Sequence, residues 1–180
     1  MDSKTLVIKQ LDEAHAMETA LVSNLIAHRA MTTEPAYRKI LDRHLKETKD
    51  QVVALDERRS ALGSDGGRGL VSATVGLARD AVGQVLVLSK GPLDVIRTSS
   101  QTERMLKNAK DECATEALEI ATYDGLEASA IAAGDKETVK LAVAHRKQEE
   151  RMLADLRTQV AILAKQAFED RTGETAAVAA

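Results

Sequence analysis

Aromatic residues are almost missing from this chain: it has no tryptophan, one phenylalanine (Phe168) and two tyrosines (Tyr37 and Tyr123) in 180 residues. Its core must therefore be assembled from Leu, Val, Ile, Ala and Met, a palette that suits packed helices. The same scarcity argues against modules that bind nucleic acid by stacking bases on aromatic faces. An excess of one charge is also lacking, since 25 Lys and Arg against 28 Asp and Glu leave a formal charge of −3. A phosphate-backbone binder needs a basic footprint, so nucleic acid is not an expected partner. Cysteine is represented by Cys113 alone, which excludes an intramolecular disulfide and favours a reducing, cytoplasmic setting. No run of 18 apolar residues occurs, and residues 1–5 lack a basic start followed by an apolar stretch. Neither a signal peptide nor a membrane partner is expected.

What the chain does contain is helical periodicity. Over residues 4–31, Val7, Leu11, Ala14, Glu18, Leu21, Leu25 and His28 recur at spacings of three and four, the signature of one helix face. A break follows at residues 31–35, where Thr33 is placed to cap and Pro35 suits a first turn. The second helix is expected over residues 35–62, with Tyr37, Leu41, His44 or Leu45, Thr48, Val52, Leu55 and Leu62 inward, ended by Gly63. Residues 68–100 form the most apolar part, with a further helix expected up to Lys90 before Gly91 and Pro92. Gly69, Gly76 and Gly83 lie seven apart there, so they either mark a close helix contact or belong to a Gly-rich connection. Ser100-Gln101-Thr102-Glu103 has the pattern of a capping box and should start a helix reaching residue 133. Gly134 then caps it, and Asp135 begins a last helix to about residue 170.

Connections that run short, long, short between four matched helices imply two antiparallel hairpins joined by a crossover. The expected fold is all-α, a ferritin-like four-helix bundle with an additional helix in the crossover. Residues 1–170 form the one domain and residues 171–180 a tail.

Acidic residues on the apolar stripes point to chemistry. The first helix carries Glu18, the second His44 and Glu47, the third Glu112, Glu116, Glu119 and then Tyr123, and the fourth the adjacent pair Glu149 and Glu150. One glutamate on a long helix is usually solvated or paired with a basic neighbour; Arg146 is in reach of Glu149 and Glu150. Several at one level are different. A carboxylate in an apolar core is costly unless paired, protonated or bound to a metal, and converging carboxylates raise one another's pKa. A hard cation resolves the conflict: oxygen ligands suit iron, manganese or magnesium, and imidazole brings in iron or zinc. His15 and His28 are expected to be hydrogen-bonded or partly exposed rather than ligands, Cys113 a small core residue, and Tyr123 a hydrogen-bond partner of a ligand or a wedge in the core.

These blocks resemble the YciE/YciF group of bacterial ferritin-like stress proteins. Residues 11–21, LDEAHAMETAL, are similar to that group's Leu-Asp opening with Ala-x-Glu-x-x-Leu. Residues 44–55, HLKETKDQVVAL, resemble its His-Leu-x-Glu-Thr-x-x-Gln block, and residues 115–135, TEALEIATYDGLEASAIAAGD, its Glu-x-x-Glu-Ile-x-x-Tyr block with a terminal Gly-Asp. Glu149-Glu150 stands where the group has a Glu-Glu pair. The resemblance implies a dimer and a dinuclear metal centre, with Glu18, Glu47, Glu116 and one or both of Glu149 and Glu150 as ligands, and His44 and Glu119 nearby. It departs from ferritins in carrying His44-x-x-Glu47 where they have Glu-x-x-His. Two functions follow as expectations. One is a metal-binding protein that handles iron and oxygen or peroxide under stress, with ferroxidase or peroxide-reducing activity as its enzymatic form. The other is a structural or protein-interaction bundle with a vestigial metal site.

Overall fold

A computed structural model describes residues 2–64 and 100–175. The described residues form four helices and no strand: α1 Ser3–Met31, α2 Pro35–Ala61, α3 Gln101–Ala133 and α4 Lys136–Thr172. The helix expected in the crossover, the Gly69, Gly76 and Gly83 stripe and residues 176–180 of the tail lie outside the described residues.

Local chemistry sets the helix ends. Asp2 caps α1, its carboxylate accepting from the Thr5 amide at 2.7 Å. Glu34, not Thr33, caps α2: its carboxylate accepts from the Tyr37 amide at 2.5 Å. Pro35 opens the helix and has no N–H to cap, so the free amides begin one residue on and the residue just before proline serves them. The capping box at Ser100 and Glu103 is complete in both directions. Gly134 adopts the left-handed conformation at φ 72°, which only glycine enters without penalty, and so lets α3 stop and α4 start within two residues. Asp135 caps α4 through the Thr138 amide at 3.1 Å.

Helix α1 packs antiparallel against α2 and α3, and α4 packs antiparallel against α3 and α2. Helices α2 and α3 face each other across the diagonal and run parallel: Tyr37 meets Glu112 and His44 meets Glu116. The chain between them thus joins opposite ends of the bundle, which is the ferritin-like connection.

Spacing around Glu149 places Ala142, Arg146, Leu153, Leu156, Val160 and Leu163 on its face of α4. Ala142, Glu149, Leu156 and Leu163 do face inward, but they are joined by His145, Met152 and Gln159, not by Arg146, Leu153 and Val160. The alternative would bury the Arg146 guanidinium. Instead it reaches outward to Asp124 at 2.6 Å and Glu127 at 2.5 Å on α3.

Among the described residues, buried apolar side chains fall into two clusters rather than one. Leu21, Leu25, Tyr37, Leu41, Met105, Ala109, Met152, Leu156 and Leu163 form the first. Val7, Leu11, Ala14, Leu55, Tyr123, Leu126 and Ala142 form the second. On every helix a polar stretch intervenes: Glu18 on α1, His44, Thr48 and Gln51 on α2, Glu116 and Glu119 on α3, and Glu149 on α4. Each of these is at most 2% exposed. The bundle thus contains a polar layer between two hydrophobic ones.

A second buried charge is structural. Arg59 on α2 donates to Asp12 on α1 at 2.6 Å, both side chains being under a tenth exposed. Arg59 also reaches the exposed Asp56 carboxylate at 3.3 Å, so it is removal of Arg59 that leaves a buried charge, on Asp12, without its partner. Arg59→Met is therefore expected to cost about 3–5 kcal/mol. Asp12→Leu with Arg59→Met should recover most of that loss in urea denaturation. A single substitution costing under about 1 kcal/mol would show that water already serves the pair.

Candidate metal centre

The polar layer is built by register. His44, Thr48 and Gln51 are spaced four and three along α2, so they share its inner face, and Glu116 and Glu119 share that of α3. Glu18 and Glu149 bring one carboxylate each from α1 and α4. His44, Glu116, Glu119 and Glu149 each offer one ligand-type atom, and the four atoms lie within 4.8 Å of one another. Glu18 stands beside them, near enough for its charge to raise Glu116 and Glu119.

Hydrogen bonding inside the layer is incomplete. As carboxylates, neither oxygen of Glu116 or Glu119 finds a donor, and Oε2 of Glu18 and of Glu149 are likewise alone; only a proton on Glu149 links it to Glu116. His44 Nε2 lies 3.0 Å from Glu116 Oε1, but the two do not form a hydrogen bond. Buried polar atoms are nearly always paired, so this concentration of unpaired acceptors is the unusual feature of the chain.

Burial and mutual repulsion shift every ionisable group here toward its neutral form. The Glu18 carboxyl is raised to about 8, first by loss of water and then by the Glu149 charge. Glu149 is also raised to about 8, by burial and then by Glu116, with His44 and the Gln51 amide opposing. Glu116 and Glu119 are pushed well above the usual carboxylate range, chiefly by burial. Burial lowers His44 despite the surrounding carboxylates.

Around the layer, partners orient the carboxylates. The Tyr123 hydroxyl donates to Glu18 Oε1 at 2.5 Å and lies 3.1 Å from His145 Nδ1. The two rings meet edge to face with centroids 5.2 Å apart. His145 is held to about 4 by burial and so is neutral at physiological pH. Gln51 Nε2 donates to Glu149 Oε1 and, at 3.0 Å, to Gln148. One turn before Glu116, the buried Glu112 is fully satisfied: the Tyr37 hydroxyl donates to it at 2.8 Å and His28 Nδ1 lies 2.5 Å away. His28 thus is a hydrogen-bonded residue, as its position on a helix face suggested.

The structure brings Glu18, His44, Glu116, Glu119 and Glu149 together. It does not bring Glu47 or Glu150 to them. Glu47 is half-buried at the α2–α4 seam and accepts from Arg151 at 2.6 Å. Glu150 is exposed, 3.5 Å from Arg146 one turn back. Sequence reasoning missed His145, Glu112 as a satisfied buried acid, and Gln51 in the layer; Thr48 it placed inward without a role. His145 had a signal, since it stands four residues before Glu149 and three after Ala142.

Two donors about 2.1 Å from one cation can be at most about 4.2 Å apart. A 4.8 Å cluster therefore admits a cation if its side chains draw in by a few tenths of an ångström. Carboxylates with one imidazole suit iron, manganese or zinc, and they match no soft, thiolate-binding metal.

A four-helix bundle of ferritin-like topology with a buried His/Glu cluster is the class this fold and site define. Within it, the chain belongs to the family described as "Domain of unknown function (DUF892)", which matches residues 3–169. Solved structures share the fold. A protein of Xanthomonas campestris pv. campestris is 21% identical with a TM-score of 0.71, over 96% of this chain and 100% of that one. YcfI of Rhodopseudomonas palustris is 22% identical with a TM-score of 0.69, over 88% and 94%. The Escherichia coli stress protein YciF is 19% identical with a TM-score of 0.69, over 91% and 98%. The YciE/YciF-type resemblance of the sequence agrees with this family and with the YciF fold. No curated protein sequence matches the chain. Among the described residues, no helix is long and apolar enough to cross a membrane.

Proposed function

We propose that the polar layer holds iron, with manganese or another divalent cation as the alternative load, and that the protein handles iron and oxygen species during stress. The observation that carries this is the set of unpaired carboxylate oxygens on Glu116, Glu119, Glu18 and Glu149, in a layer that is at most 2% exposed. A cation supplies in one step the counter-charge and the ligation those atoms lack. Glu116, Glu119, Glu149 and His44 would hold it, and Glu18 would serve a second cation in a di-iron centre. Tyr123 and Gln51 would fix the orientation of Glu18 and Glu149, as hydrogen-bonded partners of metal ligands do. When bound, the metal would supply redox or Lewis-acid chemistry. Stress-related use rests on the likeness to YciF. Cytoplasmic location and homodimer formation are carried with it from the sequence.

Glu47 favours a second reading. Its ion pair with Arg151 removes one of the carboxylates that the family resemblance assigns to the centre. A bundle with a vestigial site, serving structure or protein interaction, would look like this. Elemental analysis separates the two. Protein purified after growth with iron or manganese, or reconstituted anaerobically, should carry close to stoichiometric metal, and Glu116→Ala with Glu149→Ala should carry none. A parent protein that stays metal-free through both procedures leaves the vestigial bundle standing.

A further inference from the structure

The walls of the polar layer are chemically unequal. Helices α1, α3 and α4 supply carboxylates, which only accept hydrogen bonds while ionised. Helix α2 supplies His44, Thr48 and Gln51, none of them acidic. Thr48 is fully buried and its hydroxyl has no partner. This sets it apart from other helical threonines among the described residues. Thr19, Thr115, Thr122, Thr158 and Thr172 each donate to the carbonyl four residues back. The same bond is open in principle to Thr48 with the His44 carbonyl, and it is not made. One turn on, Gln51 commits its amide N–H to Glu149 and Gln148, and its carbonyl oxygen Oε1 is left buried without a donor.

Thr48 and Gln51 thus offer a hydroxyl that can donate and a carbonyl that can only accept, on the one wall without negative charge. Neither suits a cation as well as the opposite carboxylates do. Together they suit a small molecule that both gives and takes hydrogen bonds, such as water, while the hydroxyl alone suits an anion that only accepts. We propose that Thr48, joined by the Gln51 carbonyl where the ligand carries a proton, forms a subsite for a compact exogenous ligand, water or an anion of azide size, on the α2 side of the carboxylate cluster. This rests on the cluster holding a cation, which would place such a ligand between itself and α2. Thr48 would then act as a binding and positioning residue. It governs which small ligands the centre admits and contributes little to how tightly it holds metal.

Cobalt(II) is the probe metal, because its visible spectrum reports changes in coordination, and azide is the probe ligand. Cobalt binding and azide binding are titrated separately in the parent, Thr48→Ser and Thr48→Val, with folding checked by circular dichroism. A hydrogen bond to a charged group contributes about 1.5–3 kcal/mol, so Thr48→Val should weaken azide binding about ten-fold or more. Thr48→Ser should stay within about two-fold of the parent, and cobalt affinity should be alike in all three. Should the valine variant not fold, Thr48→Ala takes its place with the same expectation. Equal azide affinity in the parent and Thr48→Val overturns the subsite while leaving the cation site intact, as does a cobalt spectrum that azide never changes. A folded parent that takes up no cobalt overturns the metal site itself.

Discussion

Replacing Glu116 and Glu119 by glutamine is expected to make the metal-free protein more stable, by on the order of 4 kcal/mol at pH 8. In a chain of this length that corresponds to an increase in Tm of roughly 10 °C. Most core substitutions destabilise, so the sign is diagnostic. It follows because both carboxyls are buried among other carboxyls without donors, and ionising them at pH 8 costs folding free energy. Glutamine keeps the shape and removes the charge. With metal present the gap should close. The parent gains about 2.7 kcal/mol at a free metal concentration 100 times its Kd and about 4.1 kcal/mol at 1,000 times, where the two become equal, whereas the variant, having lost its ligands, gains none. Thermal unfolding with chelator and with added iron or manganese measures both. A variant less stable than the parent in chelator would mean that Glu116 and Glu119 are already compensated in the empty protein.

Acidification should stabilise the metal-free protein and, below about pH 6.5, weaken the metal-loaded one. Glu18 and Glu149 are raised from 4.5 to about 8, and Glu116 and Glu119 shift in the same direction. A raised carboxyl keeps its proton in the folded state after the unfolded chain has lost it. Its contribution is fully present below about 4.5 and is lost as pH rises toward 8 and beyond. The histidines oppose this at the acid end. His44 and His145 are lowered by burial, so below 6.5 the unfolded chain takes up protons that the folded state refuses. The steepest gain in apoprotein Tm should thus lie between pH 8 and 6.5, with a shallower slope below. Metal binding requires deprotonated ligands, so metal affinity, and the stability it adds, should grow over the same range as pH rises. Unfolding scans from pH 5 to 8.5 should show Tm falling as pH rises in chelator, whereas with saturating metal Tm should rise from pH 5 to about 6.5 and stay nearly flat above it. Parallel slopes would place the titrating carboxylates outside the metal's reach.

Much of the architecture was legible from local pattern. Helix lengths, the Ser100 capping box, the Gly134 turn and the inward placement of Glu18 and Glu116 follow from spacings of three and four and from end chemistry, which act within a few residues. Legibility failed where a choice depended on a neighbouring helix. Glu149 and Glu150 are about 100° apart on α4, and periodicity alone cannot say which faces in. His44 and Glu47 are three apart, so both border one stripe; contact with α4 turns His44 inward and gives Glu47 to Arg151. The α4 stripe itself was decided by Arg146, which has acids on α3 to reach and no place in the core. Asp12 and Arg59, 47 residues apart, carried no mutual signal at all.

By itself the sequence determined four long helices, their caps and the presence of acids on apolar faces, because each is set by backbone geometry over one or two turns. Tertiary structure decided which acids share a depth, which are neutralised at the surface and which are left without donors. Those outcomes depend on distances between helices, and only packing sets them.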